Sequence, residues 1–142
     1  MTGSAIPSGA VPRSPLRVGE GARGRGVFAL QAFAADADLE ECPVILIPAR
    51  EVGPGVLAHY LFWWDDAEGG RYALPTGHGL LFNYDPEPNT TFRVEPERLA
   101  IVFRTLRPIA AGEELLIDYA YDAEHLALLG QPAWYRASGG TT

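Results

Sequence analysis

The sequence predicts a mostly β-sheet domain of the α+β class. Its apolar segments are short and recur at intervals of roughly 8–12 residues between Gly- and Pro-rich turns, a spacing typical of all-β domains. No segment keeps a helical period beyond about two turns. The 142 residues are 47% hydrophobic and 20% charged. That length and composition suit one globular domain with its own core.

The elements follow from local composition, taken in chain order. Residues 1–16 place prolines among small polar residues, so we expect a flexible tail. Short apolar runs predict strands at 17–19 and 27–30 around a Gly-rich turn, and β-branched residues favour a longer strand at 39–47. The other predicted elements are a brief helix at 56–59, an apolar stretch at 60–64, strands at 71–74, 92–94, 99–106 and 114–119, a polar loop at 83–89, and a helix at 123–129. We place the domain at 17–136 and a disordered end at 137–142.

Charge and composition exclude several classes of function. The net charge of −7 argues against direct nucleic-acid binding and favours basic partners. The longest apolar run is too short to span a bilayer, and the N-terminus lacks the pattern of a signal peptide, so we expect a cytoplasmic protein without a membrane partner. The lone Cys42 excludes an internal disulfide framework and a Cys-cluster zinc site. His59, His78 and His125 share no metal-ligand spacing, so we expect no metal.

The first candidate site is the run Gly24, Arg25, Gly26, Val27 and Phe28. Closely spaced glycines let a backbone approach a ligand and present its amide groups. A tight turn explains the same pattern. A dinucleotide fingerprint does not fit, because the third glycine and the helix that it opens are missing.

The second candidate is the stretch 83–89, in which Asn83 and Asn89 bracket two prolines. Such a loop is rigid and carries carboxamides that both donate and accept hydrogen bonds. A structural turn capped by its own Asn side chains is the alternative.

The third candidate is the stretch 112–121, which contains the adjacent carboxylates Glu113 and Glu114 and ends in Tyr119 and Tyr121. Two tyrosines two residues apart lie on one face if the strand continues through them. Aromatic packing at a sheet edge is the alternative. Adjacent carboxylates on a strand point to opposite faces and do not form an acid/base pair.

These three motifs in this order resemble the SET-domain lysine methyltransferases: Gly-Arg-Gly-Val-Phe-Ala, then Phe-Asn-(x)5-Asn, then Gly-Glu-Glu-Leu-(x)2-Asp-Tyr. The resemblance covers residues of about 16–134. In its compactness the chain is similar to stand-alone SET proteins of viruses and bacteria. The resemblance implies several small sheets and a C-terminal segment threaded through a loop as a pseudoknot. It also implies S-adenosylmethionine as the methyl donor and a lysine of a basic protein as the acceptor.

The resemblance also implies roles for individual residues. The backbone at Gly24, Arg25, Gly26 and Val27 would hold the methionine part of the cofactor. The remaining cofactor contacts would be the Asn83 side chain at the amino-acid end, the Tyr84 backbone at the adenine, Trp134 over the adenine, and Tyr119. Tyr119 matches the catalytic tyrosine, and the lysine channel would be walled by Tyr121, Tyr60 and Phe82. A tyrosine with a pKa near 10 is a poor base at neutral pH, so we expect Tyr119 to orient the amine.

One departure from the family pattern keeps a second hypothesis open. The family usually has His and then Ser or Cys after the first Asn, whereas this chain has Tyr84 and Asp85. A non-catalytic SET-like binding module with a degraded cofactor pocket is therefore the alternative, and an unrelated small β-barrel is a third reading. Similar short SET proteins can pair, so the resemblance also leaves a homodimer open.

Overall fold

The computed structural model describes residues 13–132 and Tyr135 of the chain. Nine strands and one α-helix lie within that part, and they confirm the predicted β-rich class. The strands are β1 (Leu16–Gly21), β2 (Gly24–Ala29), β3 (Asp38–Pro48), β4 (Phe62–Asp65), β5 (Arg71–Pro75), β6 (Asn83–Tyr84), β7 (Thr90–Glu95), β8 (Ala100–Thr105) and β9 (Leu116–Ile117). The α-helix is α1 (Ala123–Leu128), and 3₁₀ turns lie at Ala49–Glu51, Val56–Tyr60, Ala67–Gly69, Gly77–Leu80 and Pro96–Arg98.

Strands β1 and β2 form an antiparallel hairpin whose register pairs Leu16 with Ala29 and Gly21 with Gly24. Gly24 has a φ of 83°, in the left-handed region that favours glycine, so the turn depends on this residue. Leu16 is buried at the start of β1. Of the tail predicted at 1–16, residues 1–12 lie outside the described part of the chain, as does the whole end predicted at 137–142.

The central sheet has the order β4-β5-β3-β8-β7. Strand β3 is long enough to serve two neighbours, because its first half pairs with β8 and its second half pairs with β5. The core packs on this sheet around Phe103, whose ring stacks on Phe82 at a centroid distance of 4.5 Å. Cys42 is fully buried in the same core, and that burial raises the pKa of its thiol to about 12. It is a small core residue, as its apolar context indicates.

The C-terminal segment passes between the hairpin and the loop at 83–89. On one side the Leu115 N–H donates to the Val27 carbonyl at 2.8 Å. On the other side β9 pairs in parallel with β6, and the Leu116 N–H donates to Asn89 Oδ1 at 2.8 Å. Leu115 and Ile117 are fully buried. This segment is therefore held from both sides, as the threaded arrangement implied by the resemblance requires.

Two elements differ from those predicted. Strand β6 lies inside the stretch predicted as a loop, because its two residues pair with a segment more than 30 residues away. The strand predicted at 114–119 is limited to the two residues of β9. The predicted helix at 123–129 is present as α1, and its N-cap Asp122 accepts a hydrogen bond from the His125 N–H at 2.8 Å. No helix in the described part of the chain is long and apolar enough to cross a bilayer.

Candidate active site

One residue from each of the three sequence motifs meets at a single point. The Asn83 carboxamide nitrogen donates to the Arg25 carbonyl at 2.9 Å and to the Glu114 carboxylate at 2.8 Å. These residues come from β2, from β6 and from the segment before β9, and 89 residues separate Arg25 from Glu114. The threaded C-terminal segment is what brings them together.

The point where Arg25, Asn83 and Glu114 meet leaves no space for a side chain at position 26, so glycine is required there. A Cβ at this position would lie 2.6 Å from Asn83 Nδ2 and would overlap the Glu114 carboxylate. Gly24 differs, because a Cβ there would meet nothing within 4 Å. Between them Arg25 is exposed, while Val27 is fully buried with its carbonyl bonded to Leu115. One glycine therefore makes the turn and the other makes room.

Two cavities adjoin this point and share Asn83 and Tyr119 as lining residues. The first has a volume of about 370 Å³ and the second about 510 Å³, within the range of small-molecule sites. The first is also lined by Arg25, His59, Tyr60, Leu80, Leu81 and Phe82. The second is also lined by Arg23, Tyr84, Asp85 and Pro86. Tyr119 thus lies where two compartments with different linings adjoin.

The Tyr119 hydroxyl donates a hydrogen bond to the Phe82 carbonyl at 2.8 Å. Burial is the main cause that raises the pKa of this phenol well above its usual value, with Tyr60 and Glu114 adding to it. The group therefore stays protonated at neutral pH. A phenol that keeps its proton at neutral pH is a poor base.

The Tyr119 ring belongs to a closed cluster of four tyrosine rings. The ring centroids are 5.5 Å apart for Tyr84–Tyr119, 5.2 Å for Tyr119–Tyr121, 5.1 Å for Tyr121–Tyr135 and 5.0 Å for Tyr135–Tyr84. The Tyr121 N–H donates to the Tyr135 hydroxyl at 3.1 Å, and burial raises the pKa of Tyr135 to about 12. Burial also raises the pKa of Tyr121. Tyr119, Tyr121 and Tyr135 are therefore uncharged at neutral pH.

Tyr119 and Tyr121 meet for a reason other than the one expected. The strand does not continue through them, because Ala120 has a φ of 58°, in the left-handed region. The Asp118 carboxylate accepts the Ala120 N–H at 3.0 Å and supports this turn. The two rings are thus brought together by a tight turn.

The residues expected to wall the lysine channel all lie near Tyr119: they are Tyr60, Phe82 and Tyr121. Tyr60 is half-buried and lines the smaller cavity, and the Tyr121 hydroxyl donates to the His59 carbonyl at 3.4 Å. Phe82 is 2% exposed, and its ring packs into the core against Phe103. Its carbonyl, the acceptor for Tyr119, is its polar contact with the site. Trp134 lies outside the described residues.

The two residues that depart from the family pattern both have partners. The Tyr84 ring packs against Tyr119 and Tyr135. The Asp85 carboxylate pairs with the Arg23 guanidinium at 2.6 Å, which ties the β1–β2 turn to the loop at 83–89. Both residues are therefore packed at the site, and both line the larger cavity.

Sequence reasoning gave no role in the site to four residues that the structure brings there: Arg23, Asp85, Glu114 and Tyr135. For Glu114 the sequence held one signal, its adjacency to Glu113. Adjacent side chains on an extended segment face opposite ways, so only one of the two carboxylates can face the hairpin. The contacts of Arg23 with Asp85 and of Tyr135 with Tyr84 span 62 and 51 residues, and no local pattern predicts them.

The chain is similar in sequence and in fold to known proteins. The family model for the SET domain matches residues 24–120. A Schizosaccharomyces pombe histone-lysine N-methyltransferase, H3 lysine-37 specific, is 36% identical over 114 residues, which cover 77% of this chain and 76% of the relative.

Two solved structures share the fold. A candidate histone methyltransferase of Plasmodium falciparum superposes with a TM-score of 0.66 over 80% of this chain and 99% of its own, at 24% identity. The methyltransferase domain of human PR domain-containing protein 2 has a TM-score of 0.59 over 83% of this chain and 84% of its own, at 21% identity. At these identities the two structures bear on the fold alone.

Proposed function

This chain belongs to the SET-domain family of methyltransferases, and we propose that it transfers a methyl group from S-adenosylmethionine to the ε-amine of a lysine in a basic protein. The observation that carries the proposal is the position of Tyr119, on the wall shared by two cavities that Asn83 also lines. A two-substrate transfer needs one compartment for each reactant and an orienting group where they adjoin.

The residues around the larger cavity fit the methyl donor. S-adenosylmethionine, when bound, supplies an electrophilic methyl group on a sulfonium. Both N–H groups of the Asn83 carboxamide have acceptors within the protein, so its oxygen is the atom suited to accept from an ammonium. The backbone at Gly24, Arg25, Gly26 and Val27 would hold the methionine part of the donor, and the Tyr84 backbone would contact the adenine. Trp134 would cover the adenine.

Tyr119 would orient the acceptor amine. Its own proton is donated to the Phe82 carbonyl, so the phenol oxygen presents an acceptor to a lysine N–H. Deprotonating a free lysine at pH 7 costs roughly 4.6 kcal/mol, and burial among tyrosine rings lowers the pKa of the amine. The proton can then leave to water, and no strong base is needed. Tyr60, Phe82 and Tyr121 would wall the channel that the lysine enters.

The charge of the protein supports a basic partner. The net charge of −7 steers positively charged polypeptides toward the chain more than it adds to their affinity. The proposal includes a cytoplasmic location and a substrate other than nucleic acid. It also includes a homodimer, which light scattering would examine.

The test is a labelled-methyl transfer assay. The chain would be incubated with methyl-labelled S-adenosylmethionine and a panel of basic and acidic proteins, followed by mass-spectrometric mapping. Because the sequence contains no lysine, an untagged preparation has no lysine of its own to label. We expect label on lysines of basic proteins. Label on no lysine of any panel member, in a preparation that binds S-adenosylmethionine, would contradict the proposed transfer.

The alternative is a non-catalytic SET-like binding module, which Tyr84 and Asp85 favour because they depart from the family pattern. Titration calorimetry with S-adenosylmethionine separates the two hypotheses. A degraded pocket releases no heat, whereas the methyltransferase binds. The contacts of Tyr84 and Asp85 with Tyr119 and Arg23 support the methyltransferase.

A further inference from the structure

Glu114 touches the site without facing either cavity, and none of the roles given above includes it. Its side chain is 10% exposed and contacts Asn83, Gly26 and Arg23. We propose that Glu114 is a positioning residue whose carboxylate fixes the rotation of the Asn83 carboxamide, so that Asn83 Oδ1 faces the larger cavity and accepts from the ammonium of the methyl donor. This inference rests on the proposed function, since it names the acceptor for one end of that donor.

The rotation of the carboxamide follows from the chemistry of its neighbours. Asn83 Nδ2 has two acceptors, the Arg25 carbonyl at 2.9 Å and Glu114 Oε2 at 2.8 Å. Neither atom can donate. Rotating the carboxamide by half a turn would place Oδ1 against two acceptors and lose both bonds. The nitrogen is therefore fixed on the protein side, and the oxygen points away from it.

Glu114 is itself held in place by its surroundings. Its carbonyl accepts from Asn89 Nδ2 at 2.8 Å, and the next residue, Leu115, is bonded to Val27. Its second carboxylate oxygen lies 3.8 Å from the Arg23 guanidinium. Gly26 leaves the space that the carboxylate occupies. A charge-assisted hydrogen bond in a largely buried setting is stronger than one between neutral groups, so removing it should have a measurable effect.

The adjacent Glu113 provides a matched control. Its carboxylate pairs with the Arg107 guanidinium and accepts the Ala110 N–H at 3.0 Å. It therefore stabilises the turn before β9. The two side chains have the same chemistry and neighbouring positions, and they serve different partners.

The experiment measures the affinity for two ligands by titration calorimetry. S-adenosylmethionine carries the amino-acid end, and 5′-methylthioadenosine keeps the adenosine and the sulfur without it. We expect Glu114→Ala to weaken S-adenosylmethionine binding by about tenfold, and Glu114→Gln, which keeps an acceptor, to weaken it less. Both variants should bind 5′-methylthioadenosine within about twofold of wild type. Glu113→Gln should bind both ligands as wild type does.

A double-mutant cycle tests whether Glu114 acts through Asn83. Asn83→Ala and the combined Asn83→Ala/Glu114→Gln variant should bind S-adenosylmethionine equally, because the second change has no carboxamide left to orient. Kinetic assays should show a raised KM for S-adenosylmethionine with kcat near the wild-type value. Glu114→Gln is close to isosteric, so it carries the test if Glu114→Ala does not fold.

Three results would overturn the inference. Unchanged S-adenosylmethionine affinity in both Glu114 variants would show that the contact has no role. Equal weakening for the two ligands would show a general structural role, and additive losses in the cycle would show that Glu114 acts independently of Asn83. A wild-type chain that gives no heat with S-adenosylmethionine is a separate result, because it removes the proposed function first.

Discussion

The Tyr119 hydroxyl lies 2.8 Å from the Phe82 carbonyl oxygen and donates its proton to it. Phe82 is buried and its ring stacks on Phe103, so this carbonyl is anchored in the core of the domain. The phenol is therefore hydrogen-bonded to a backbone group of the packed core, and this bond sets the direction of its O–H.

Tyr119→Phe should keep the fold and the affinity for S-adenosylmethionine while lowering kcat by about 100-fold. The variant keeps the ring and removes the group that aligns the amine, and misplacement of a reacting group costs about that much. Single-turnover methyl transfer and titration calorimetry measure the two effects. Wild-type turnover in this variant would refute the orienting role.

Gly26→Ala and Gly24→Ala should fail in different ways. At Gly26 a methyl group would displace the Asn83 carboxamide, so S-adenosylmethionine affinity should fall, with an overpacking cost of about 1–3 kcal/mol in the free energy of unfolding. At Gly24 the space is open, so alanine should cost about 1 kcal/mol through its left-handed φ alone.

Urea unfolding followed by calorimetry separates these two effects. If Gly26→Ala bound S-adenosylmethionine like Gly24→Ala at equal stability, the spatial requirement at position 26 would be wrong.

His125 should make the stability of the domain depend on pH. Its Nε2 lies 2.6 Å from the Ala58 carbonyl oxygen, the ring is 2% exposed, and burial lowers its pKa. In the unfolded chain His125 takes up a proton as the pH falls through about 6.5, whereas in the folded chain it takes up the proton only at a lower pH. The unfolded state then binds more protons, so the free energy of unfolding should decrease as the pH falls from about 6.5 toward the lower pKa of the folded state.

His125→Gln keeps a donor for Ala58 and does not titrate, so it should flatten this dependence. Urea unfolding at about pH 7.5 and about pH 5.5 measures the slope, and His59→Gln is the control for removing a histidine. An unchanged slope in His125→Gln would assign the dependence to another group.

The Arg23–Asp85 ion pair should contribute modestly to stability. Its side chains are 42% and 22% exposed, and pairs in such positions are worth about 0.2–1 kcal/mol. A double-mutant cycle with Arg23→Ala and Asp85→Ala measures the coupling, which should shrink at 1 M salt because exposed charges are then screened within about 3 Å. Coupling well above this range, or coupling insensitive to salt, would mean that the pair is more buried in solution than its exposure here indicates.

The sequence predicted more of the fold than of the site. Short apolar runs and the lack of helical periodicity led to the β-rich class, and the order of three motifs led to the family. The site residues that were predicted belong to short motifs, in which the residue types and their spacing are visible in the sequence itself. Phe82 shows the limit, since the hydrogen bond from the Tyr119 hydroxyl to its carbonyl joins residues 37 positions apart, and no local pattern predicts it.

What the sequence determined by itself is the set of chemical groups and their spacing along the chain: the glycines near β2, the paired asparagines, and the two tyrosines after β9. Which of them touch was decided by the tertiary structure. Asn83 meets Glu114, Arg23 meets Asp85 and Tyr84 meets Tyr135 because the C-terminal segment passes between the hairpin and the loop at 83–89. Local periodicity specifies the side of a strand on which a residue lies, but a contact across tens of residues depends on how the strands pair and cross.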